Sequence, residues 1–417
     1  MSIQQYIGYN NAVTIGNVVA DSEQANYPAT NLANPATNLL WKSDSTSAQY
    51  VTIDIDAEQS CDYIGIARHN LGTAQCGIEI QGQTVDGGAW STIVPDFGPS
   101  SWNFNHSEYT THKATTEQTS NKSTRHGDFW KLVDNAVSGL HGLSRSYSGA
   151  ATRTVSLVVK AGTLTKCRLK FHNPTDGSRE ETKFDLSSGN VLSGSGNIQN
   201  LGNGEYLISI TATSTVDDEI HLNCLNANGD VSYTGTGTDF FYIADLQVDI
   251  GSSIKGYAPL TADNKPILKT FTSGDYYGVR IKITPGGSIR PQMAVVYTGE
   301  IMQMQRNIYV GHTPIPYARS INAVNRLSES GQFLGRIIRG TTYKSQVKIQ
   351  HMTKDWYRST FDTFVKVSKT KPFFYAWRLT DYATEIGYCW VIGGVPVPDN
   401  TGPNGMMSVS FNISGLA

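Results

Sequence analysis

The sequence predicts an all-β protein made of several antiparallel β-sandwiches, one of them a jelly roll, with one short helix near the C-terminus. Glycine contributes 40 of the 417 residues and tyrosine 21, while charged residues are only 16%, against about 25% in an average soluble protein. Neutral polar, β-branched and aromatic residues are typical of half-solvated antiparallel sheets and their turns. At roughly 100–200 residues per domain, the length predicts two to four domains.

The charge balance and the cysteine count exclude several classes of protein. There are 33 Lys and Arg against 35 Asp and Glu, a net charge of −2, so we expect no nucleic-acid partner and no membrane insertion. No apolar run approaches the roughly 18 residues of a membrane span, and the first residues do not resemble a signal peptide. An odd number of cysteines without a C-x-x-C pair predicts buried, reduced thiols of a protein made in the cytoplasm. A Cys61–Cys76 bridge remains compatible with the spacing.

Hydrophobic periodicity places the strands. Residues 51–55 alternate apolar and polar, which predicts a strand with one buried face, whereas residues 63–67 are apolar throughout, as in a sandwich interior. The tract 27–38 is rich in turn residues and predicts a long ordered loop. The polar stretch 105–130 predicts a linker.

Further strands follow this stretch, and one helix stands out near the end. Residues 279–283 alternate apolar and polar and residues 293–297 are apolar throughout, like the strands of the first set, although they lie far along the chain. Tyr357, Phe361, Phe364 and Val365 fall at i, i+4, i+7 and i+8, which is the apolar stripe of an amphipathic helix.

The first strand set resembles the discoidin-like (F5/8 type C) sandwich. The resemblance lies in YVTIDI at 50–55 and DYIGIARHNLG at 62–72. It implies a discontinuous domain of residues 1–104 plus 268–310, closed by strands 279–283 and 293–297. Residues 105–267 would then be a domain inserted into this sandwich.

The inserted stretch resembles the carbohydrate-binding-module-like jelly rolls of phage fibre and spike proteins. The resemblance lies, in chain order, in VVKAG at 158–162, FDLSSG at 184–189, LGNGEY at 201–206, SYTGTGT at 232–238 and YIADLQV at 242–248. It implies either binding of host cell-surface polysaccharide or a ligand-free role in stiffening the phage tail.

Residues 311–417 resemble the end of distal-tail or tail-hub proteins of long-tailed bacteriophages. GQFLGR at 331–336, KPFFYAW at 371–377, YCW at 388–390 and GPNGMMSVS at 402–410 carry this resemblance. It implies a structural protein of the virion tail tip or baseplate, assembled as a ring of six copies that contacts the tail tube and hub proteins. Phe373, Phe374, Tyr375 and Trp377 cannot all face one core, so we expect apolar surface for a neighbouring copy here.

No catalytic motif accompanies these resemblances. The sequence has no G-x-S-x-G elbow, Walker loop, G-x-G-x-x-G after a strand or H-E-x-x-H. We therefore expect recognition rather than catalysis. The alternative is a secreted glycan-degrading enzyme or its carbohydrate-binding accessory modules, against which the unpaired cysteines and the unsuitable N-terminus count.

Two groups of residues are candidates for ligand binding. Arg68, His69 and Asn70 follow a fully apolar strand, where discoidin-like domains place ligand contacts, although a turn with Asn70 at positive φ explains them equally well. Trp130 and Tyr233 lie beside turns and could stack on a sugar ring, with Asp230 and Thr234 supplying hydrogen bonds. Tyr147 is a weaker candidate, and Tyr206 fits a core position better.

The sequence predicts no metal site and no cofactor. His106 and His112 lie in the polar stretch and are better explained as solvated linker residues than as ligands. The pairs Asp54/Asp56 and Asp217/Asp218 could offer oxygen ligands to Ca²⁺, but solvent-facing carboxylates at strand ends explain them without an ion.

Overall fold

The structure is a computed structural model that describes residues 5–55, 59–98, 104, 106, 108–124, 128–147, 150–173, 177–214, 217–254, 263–286, 288–308, 311–400 and 405–416. Antiparallel strands form nearly all of its regular structure, which confirms the predicted all-β class. Within these ranges, no helix is both long enough and apolar enough to cross a membrane.

The first hundred residues contain short strands, as the periodicity predicts. They are β1 (Tyr6–Gly8), β2 (Val18–Ala20), β3 (Trp41–Lys42), β4 (Gln49–Asp54), β5 (Ser60–His69), β6 (Gly77–Gln83) and β7 (Ser91–Val94). The turn-rich tract 27–38 holds one 3₁₀ helix, Ala29–Ala33.

Fourteen strands follow in the described part of 109–250. They are β8 (Tyr109–His112), β9 (Ala114–Lys122), β10 (Asp128–Asp134), β11 (Ser138–Leu140), β12 (Gly142–Tyr147), β13 (Thr152–Lys160), β14 (Lys166–Asn173), β15 (Gly177–Asp185), β16 (Asn190–Ser193), β17 (Asn197–Gly202), β18 (Glu205–Thr213), β19 (Asp218–Leu225), β20 (Ser232–Thr234) and β21 (Phe240–Ile250).

The remaining strands are β22 (Ile267–Asp275), β23 (Gly278–Thr284), β24 (Gln292–Gly299), β25 (Met302–Gln303), β26 (Arg319–Leu327), β27 (Phe333–Met352), β28 (Phe373–Ala376), β29 (Ile386–Asn400) and β30 (Met407–Leu416). A 3₁₀ turn, Ile315–Tyr317, precedes β26. The helical segment consists of α1 (Lys354–Trp356), a π-helical turn (Tyr357–Phe361) and α2 (Asp362–Ser368).

Two facing sheets form what we call the sandwich unit. One has the strand order β2-β4-β23-β6-β7 and the other β22-β5-β24-β3, so strands from both ends of the chain share each sheet. In the first sheet, β23 lies between β4 and β6, with Val279 opposite Ile53 and Ile281 opposite Ile80. All four of these side chains are fully buried in one core, which is why β4 and β23 alternate so regularly in sequence.

Strands β8–β21 form the inserted unit. Its two six-stranded sheets have the orders β17-β18-β13-β21-β10-β9 and β16-β15-β14-β19-β12-β8, and β11 and β20 form a separate two-stranded ribbon. The predicted linker 105–130 is wrong, because β8 and β9 occupy this stretch as edge strands of the two sheets. Edge strands expose much of their surface, so their polar composition is indistinguishable from that of a linker.

Residues 311–416 form most of a third unit around one seven-stranded sheet, β25-β1-β28-β29-β30-β27-β26. The predicted helix is confirmed, since Tyr357, Phe361, Phe364 and Val365 are all buried against this sheet. The short strands β1 and β25, which the sequence places with the sandwich, pair in this sheet instead.

The strand containing Phe373, Phe374 and Tyr375 separates two cores. Phe373 and Tyr375 face the core of the third unit, while Phe374 belongs to a second apolar cluster with Tyr63 and Tyr297 of the sandwich unit. Apolar residues on both faces are therefore buried within one chain. Trp377 is half-buried beside the core of the third unit and stacks on Tyr382. The expectation that these four residues leave an apolar surface for a neighbouring copy is therefore wrong.

All five cysteines are buried, and none forms a disulfide. The Cys61–Cys76 bridge is therefore not formed. Burial raises the pKa of the Cys61 thiol to about 11, which keeps it protonated at neutral pH.

Candidate functional site

Arg68, His69 and Asn70 mainly hold the chain in place. His69 is buried: its Nε2 lies 2.7 Å from the carbonyl oxygen of Lys265, and its Nδ1 accepts from the backbone N–H of Leu71. The side chain of Asn70 bonds the backbone of Arg290 and Gln292. The left-handed residue is Arg68, at φ 56°, and not Asn70. Only the exposed Arg68 side chain is available to a ligand.

The two aromatic candidates do not form an open platform for a sugar. Trp130 is only 5% exposed and lies in the core of the inserted unit beside Phe104. It is buried because alternation in β10 turns Trp130 and Leu132 inward. Tyr233 is half-buried with its ring 4.6 Å from that of His141, and burial, followed by the nearby Cys224 and Asp134, raises the pKa of its phenol. The same core buries Tyr147.

Asp230 and Thr234 are exposed but lie in different local structures. Asp230 closes a tight turn, in which its carboxylate accepts from Asn226 Nδ2 and its backbone N–H donates to Asn226 Oδ1. Thr234 belongs to the ribbon strand β20, opposite Ser138. The Thr234 side chain is therefore available to a ligand, whereas the Asp230 side chain is hydrogen-bonded within its own turn.

A better candidate lies on the outer face of the second sheet of the inserted unit. In β14 the residues Cys167, Leu169 and Phe171 face the core, so alternation places the residues between them outside. In β19 the core residues are Ile220, Leu222 and Cys224. We call the resulting surface the histidine face; it comprises His112, Ser144, Arg168, Lys170, His172, Glu181, Glu219, His221 and Asn223.

Cross-strand pairing brings these side chains into rows. Lys170 lies opposite both Glu181 and His221, and Arg168 lies opposite Asn223. Strand β12 contributes Gly142 opposite Asn223. A Cβ atom at Gly142 would come within 2.4 Å of Asn223 Nδ2, so glycine is needed there to admit the amide.

Arg168 and Asn223 form the buried part of the face. Arg168 Nε and Nη2 donate to Asn223 Oδ1 at 3.0 and 2.7 Å, and its Nη1 donates to Glu181 at 3.1 Å. The bidentate contact fixes the Asn223 oxygen towards Arg168, so Nδ2 must point away. Although Asn223 is fully buried, this Nδ2 donor has no hydrogen-bond partner among the described residues.

The three histidines form a half-buried group. The rings of His112 and His221 stack with centroids 5.7 Å apart, and His172 meets His221 edge-on at 5.2 Å. His221 Nε2 lies 3.0 Å from Glu219, and His112 Nε2 lies 2.8 Å from Ser144 Oγ. His172 Nδ1 is buried and also lacks a partner among the described residues.

Burial affects the charges on this face. Desolvation is the largest cause that lowers the pKa values of Arg168, Lys170 and His221. Arg168 further lowers the pKa of Lys170, while Glu219 opposes the shift of His221. Lys170 forms no ion pair with any residue that the structure describes, so an ammonium group is available beside the unpartnered donors.

The described residues contain no group of three or more His, Cys, Asp and Glu side chains arranged to hold a metal ion. Asp218 is buried and forms an ion pair with Arg153 at 3.5 Å, so the expectation that its carboxylate faces solvent is wrong. Asp56 lies outside the described residues. His106 is buried rather than solvated, and His112 belongs to the histidine face.

A cleft of about 330 Å³ lies where the three units meet, between residues 93–97, 246–250 and 268–270. Its Asp96 forms an ion pair with Arg145 of the inserted unit at 2.5 Å, and Glu108 also bonds Arg145. Asp96 and Arg145 are both buried. The ion pair joins the sandwich and inserted units, so we assign this cleft a structural role.

No protein-family model and no curated protein matches the chain. Solved structures with a similar fold include TmCBM61 in complex with β-1,4-galactotriose, which is 13% identical, with 37% of this chain and 95% of that chain covered, at a TM-score of 0.25. The module CBM6cm-2 from Cellvibrio mixtus lichenase 5A, in complex with cellotriose, is 9% identical, with 36% and 95% covered, at 0.22. A truncated AlyQ with CBM32 and alginate lyase domains is 9% identical, with 60% and 100% covered, at 0.20. At these TM-scores the likenesses assign no family and no ligand to this chain.

The sequence contains a signal for the histidine face that a search for motifs does not detect. The run 166–173, KCRLKFHN, alternates polar and apolar residues, as does the run 219–223, EIHLN. Each run predicts one polar face, but only the register of β14 with β19 shows that these polar faces adjoin.

Proposed function

We propose that this chain is a non-catalytic carbohydrate-recognition protein whose inserted unit binds a glycan across the histidine face. One observation carries the proposal: Asn223 Nδ2 and His172 Nδ1 are buried without described partners on a sheet face that also presents Lys170, which forms no ion pair with a described residue. Buried polar groups are nearly always hydrogen-bonded. Neither atom touches solvent in the free chain, so sugar hydroxyl and carboxylate oxygens would satisfy these groups only after the side chains that cover them shift.

The charges on the face favour an anionic glycan. Four cations lie on or beside it, against three carboxylates: Lys166, Arg168, Lys170 and Lys183 against Glu181, Asp185 and Glu219. Lys166 and Lys183 donate to backbone carbonyls of the loop 227–229, so Lys170 is the cation best placed to meet a ligand. A uronic-acid-containing polysaccharide supplies both a carboxylate and hydroxyl groups.

The test is titration of the whole chain with a uronic-acid oligosaccharide and a neutral one of equal length. We expect Lys170→Ala to weaken binding of the acidic ligand by about tenfold, as for loss of a charge-assisted hydrogen bond. Lys131→Ala is the matched control, because Lys131 lies on the other six-stranded sheet and pairs with Glu117. Equal weakening by both variants, or no binding by the unmodified chain, would refute the proposal.

Asn223→Asp tests the carrying observation directly. The substitution keeps the shape and the contact with Arg168 but replaces the free donor with an acceptor. We expect weaker binding of the neutral oligosaccharide as well as the acidic one, because both lose the donor, whereas repulsion by the new carboxylate alone would weaken only the acidic ligand. Melting curves must accompany the titration, since the change removes an unmet donor and places a carboxylate beside the Arg168 guanidinium. An assay for release of reducing sugar from the same polysaccharide separates recognition from the alternative, a glycan-degrading enzyme.

A second function is a structural one, as a multi-copy component of a bacteriophage tail tip in the virion, in contact with tail tube and hub proteins. The structures named above are carbohydrate-binding modules and a protein with an alginate lyase domain rather than virion proteins, so this proposal depends on this chain alone. It is favoured by an exposed apolar hairpin in the third unit, where Leu327 and Phe333 are both more than 60% exposed. We expect the purified chain to sediment as a closed oligomer, a hexamer in the proposed ring; a monomer at all concentrations would refute self-assembly.

A further inference from the structure

The hairpin of β26 and β27 extends beyond the body of the third unit. Near its base, Val347 and Ile349 are buried in the core, but from residue 319 to 342 no side chain of the hairpin is buried. We call residues 319–342 the arm. A two-stranded hairpin with both faces in water is marginally stable at best, so the arm needs a surface to pack on.

One side of the arm is markedly apolar. Residues opposite each other in an antiparallel pair share a face, and the pairs Ala323–Ile338 and Leu327–Phe333 lie on the same face as Ile321. This is also the face of Tyr343, which packs on the core at the base of the arm. We call it the inner face of the arm. The other side presents the pair Val324–Ile337 among polar residues.

The segment formed by the arm and the six residues that follow it is also strongly basic. Residues 319–348 contain six Lys and Arg and one acidic residue, Glu329, so this segment carries a net charge of +5. The rest of the chain, residues 1–318 and 349–417, carries −7, and we call it the acidic body. Arg319, Arg326, Arg336 and Arg339 form no ion pair with any described residue. Arg319 and Arg336 lie on the inner face, opposite Tyr343 and Asn325.

We propose that the inner face of the arm docks on the acidic body of a second copy of this chain. The inference deepens the structural function proposed above and rests on self-association of the chain. The charges favour a second copy as the partner, because the positive arm of one copy would meet the acidic body of another. The five apolar side chains of the inner face supply the buried area.

The same charges determine the symmetry of the contact. A two-fold contact between two arms would bring the arginines of both copies together and leave like charges opposed. Arm-to-body contact is head-to-tail instead, and such contacts close into a ring when the rotation between copies allows it. The proposal therefore predicts an assembly larger than a two-fold dimer.

Two adjacent isoleucines provide a matched pair of variants. Ile338 lies on the inner face and is 57% exposed, whereas Ile337 lies on the other face and is 58% exposed. We expect Ile338→Ser in the full chain to weaken assembly by at least about tenfold in sedimentation velocity, because central apolar anchors dominate interfaces. Ile337→Ser should leave it unchanged. Both side chains are solvent-exposed, so both variants should melt like the unmodified chain.

The outcomes separate the docking proposal from self-assembly itself. If the unmodified chain is monomeric, both ideas fail. If it is oligomeric and Ile338→Ser has no more effect than Ile337→Ser, the chain assembles but the inner face of the arm is not the contact.

Charge reversal distinguishes the head-to-tail contact from paired arms. Arg319→Glu/Arg336→Glu should weaken assembly whether the variant is alone or mixed with unmodified chain, because the acidic body then meets an acidic arm. If arms paired with each other, a mixture of variant and unmodified chains would associate more tightly than either alone, and that result would overturn the proposal.

Discussion

At the scale of single residues, the histidine face shows why a polar surface can remain partly unsatisfied. Arg168 uses the Asn223 oxygen and Glu181, which leaves the Asn223 nitrogen with nothing to bond among the described residues. An unmet buried donor costs roughly 1–3 kcal/mol. A ligand that accepts this hydrogen bond recovers part of that cost, so the same feature that destabilises the free protein favours binding.

The charge of His221 should make this binding depend on pH. Desolvation lowers the pKa of His221 from 6.5, and His172 and His112 lower it further while Glu219 opposes them. His221 is therefore neutral at pH 7, and an anionic ligand should bind more tightly as the pH falls and the imidazole gains a proton. Titration at pH 7 and pH 5 should show this gain for the acidic oligosaccharide but not for the neutral one.

His221→Gln is the control for this pH dependence. It should reduce the gain, whereas Arg168, Lys170, Glu181, Glu219 and the other two histidines still face the ligand. Because the lowered pKa means that the folded state binds fewer protons, this group also reduces stability as the pH falls below about 6.5. Melting curves at both pH values must accompany the titration, and an unchanged gain in the variant would exclude His221 as its source.

At the scale of elements, the packing of β5 against β28 couples the sandwich unit to the third unit. Gly65 in β5 lies under the Phe374 ring, and a Cβ atom there would come within 2.6 Å of two ring carbons. We expect Gly65→Ala to destabilise the chain by about 1–3 kcal/mol, the usual range for overpacking a core. Denaturant unfolding measures this, with Gly340→Ala as the control because nothing lies within 4 Å of its added methyl group. Equal stability of the two variants would contradict the proposed tight packing.

The elements also show which sequence patterns are sufficient for prediction. The helix carrying Phe361 and Phe364 is predictable because its apolar stripe meets one core. The burial of both faces of β28 is not, since these faces meet two cores that lie far apart in sequence. Strands β8 and β9 escape prediction for the opposite reason, because edge strands need few apolar residues. Periodicity therefore predicts an element well when one face is buried and the other is in water.

At the scale of the whole molecule, composition alone predicts the all-β class, whereas the binding surface requires the strand register. The turns that flank Trp130 make it a candidate for stacking on a sugar, but flanking turns do not show which way a side chain points in β10. The exposure of the arm is equally unpredictable from the sequence, since its Ile, Leu and Phe residues are those expected of a buried strand. Exposure depends on whether another element lies above the strand, and a local pattern does not contain that information.

The inserted unit has an apolar core of its own. The apolar core of the inserted unit contains described residues between Phe104 and Val248, whereas the other two cores and the cluster that joins them contain none from this range. We therefore propose that residues 104–262 can be replaced by a short Gly/Ser loop, since insertions are tolerated where chain ends meet at a surface. The change should include Asp96→Asn, because loss of Arg145 would leave the Asp96 carboxylate buried without its ion pair. The shortened chain should remain soluble with a β-type circular dichroism spectrum and a single cooperative melting transition. Aggregation, or a broad transition, would show that the sandwich unit needs the inserted unit in order to fold.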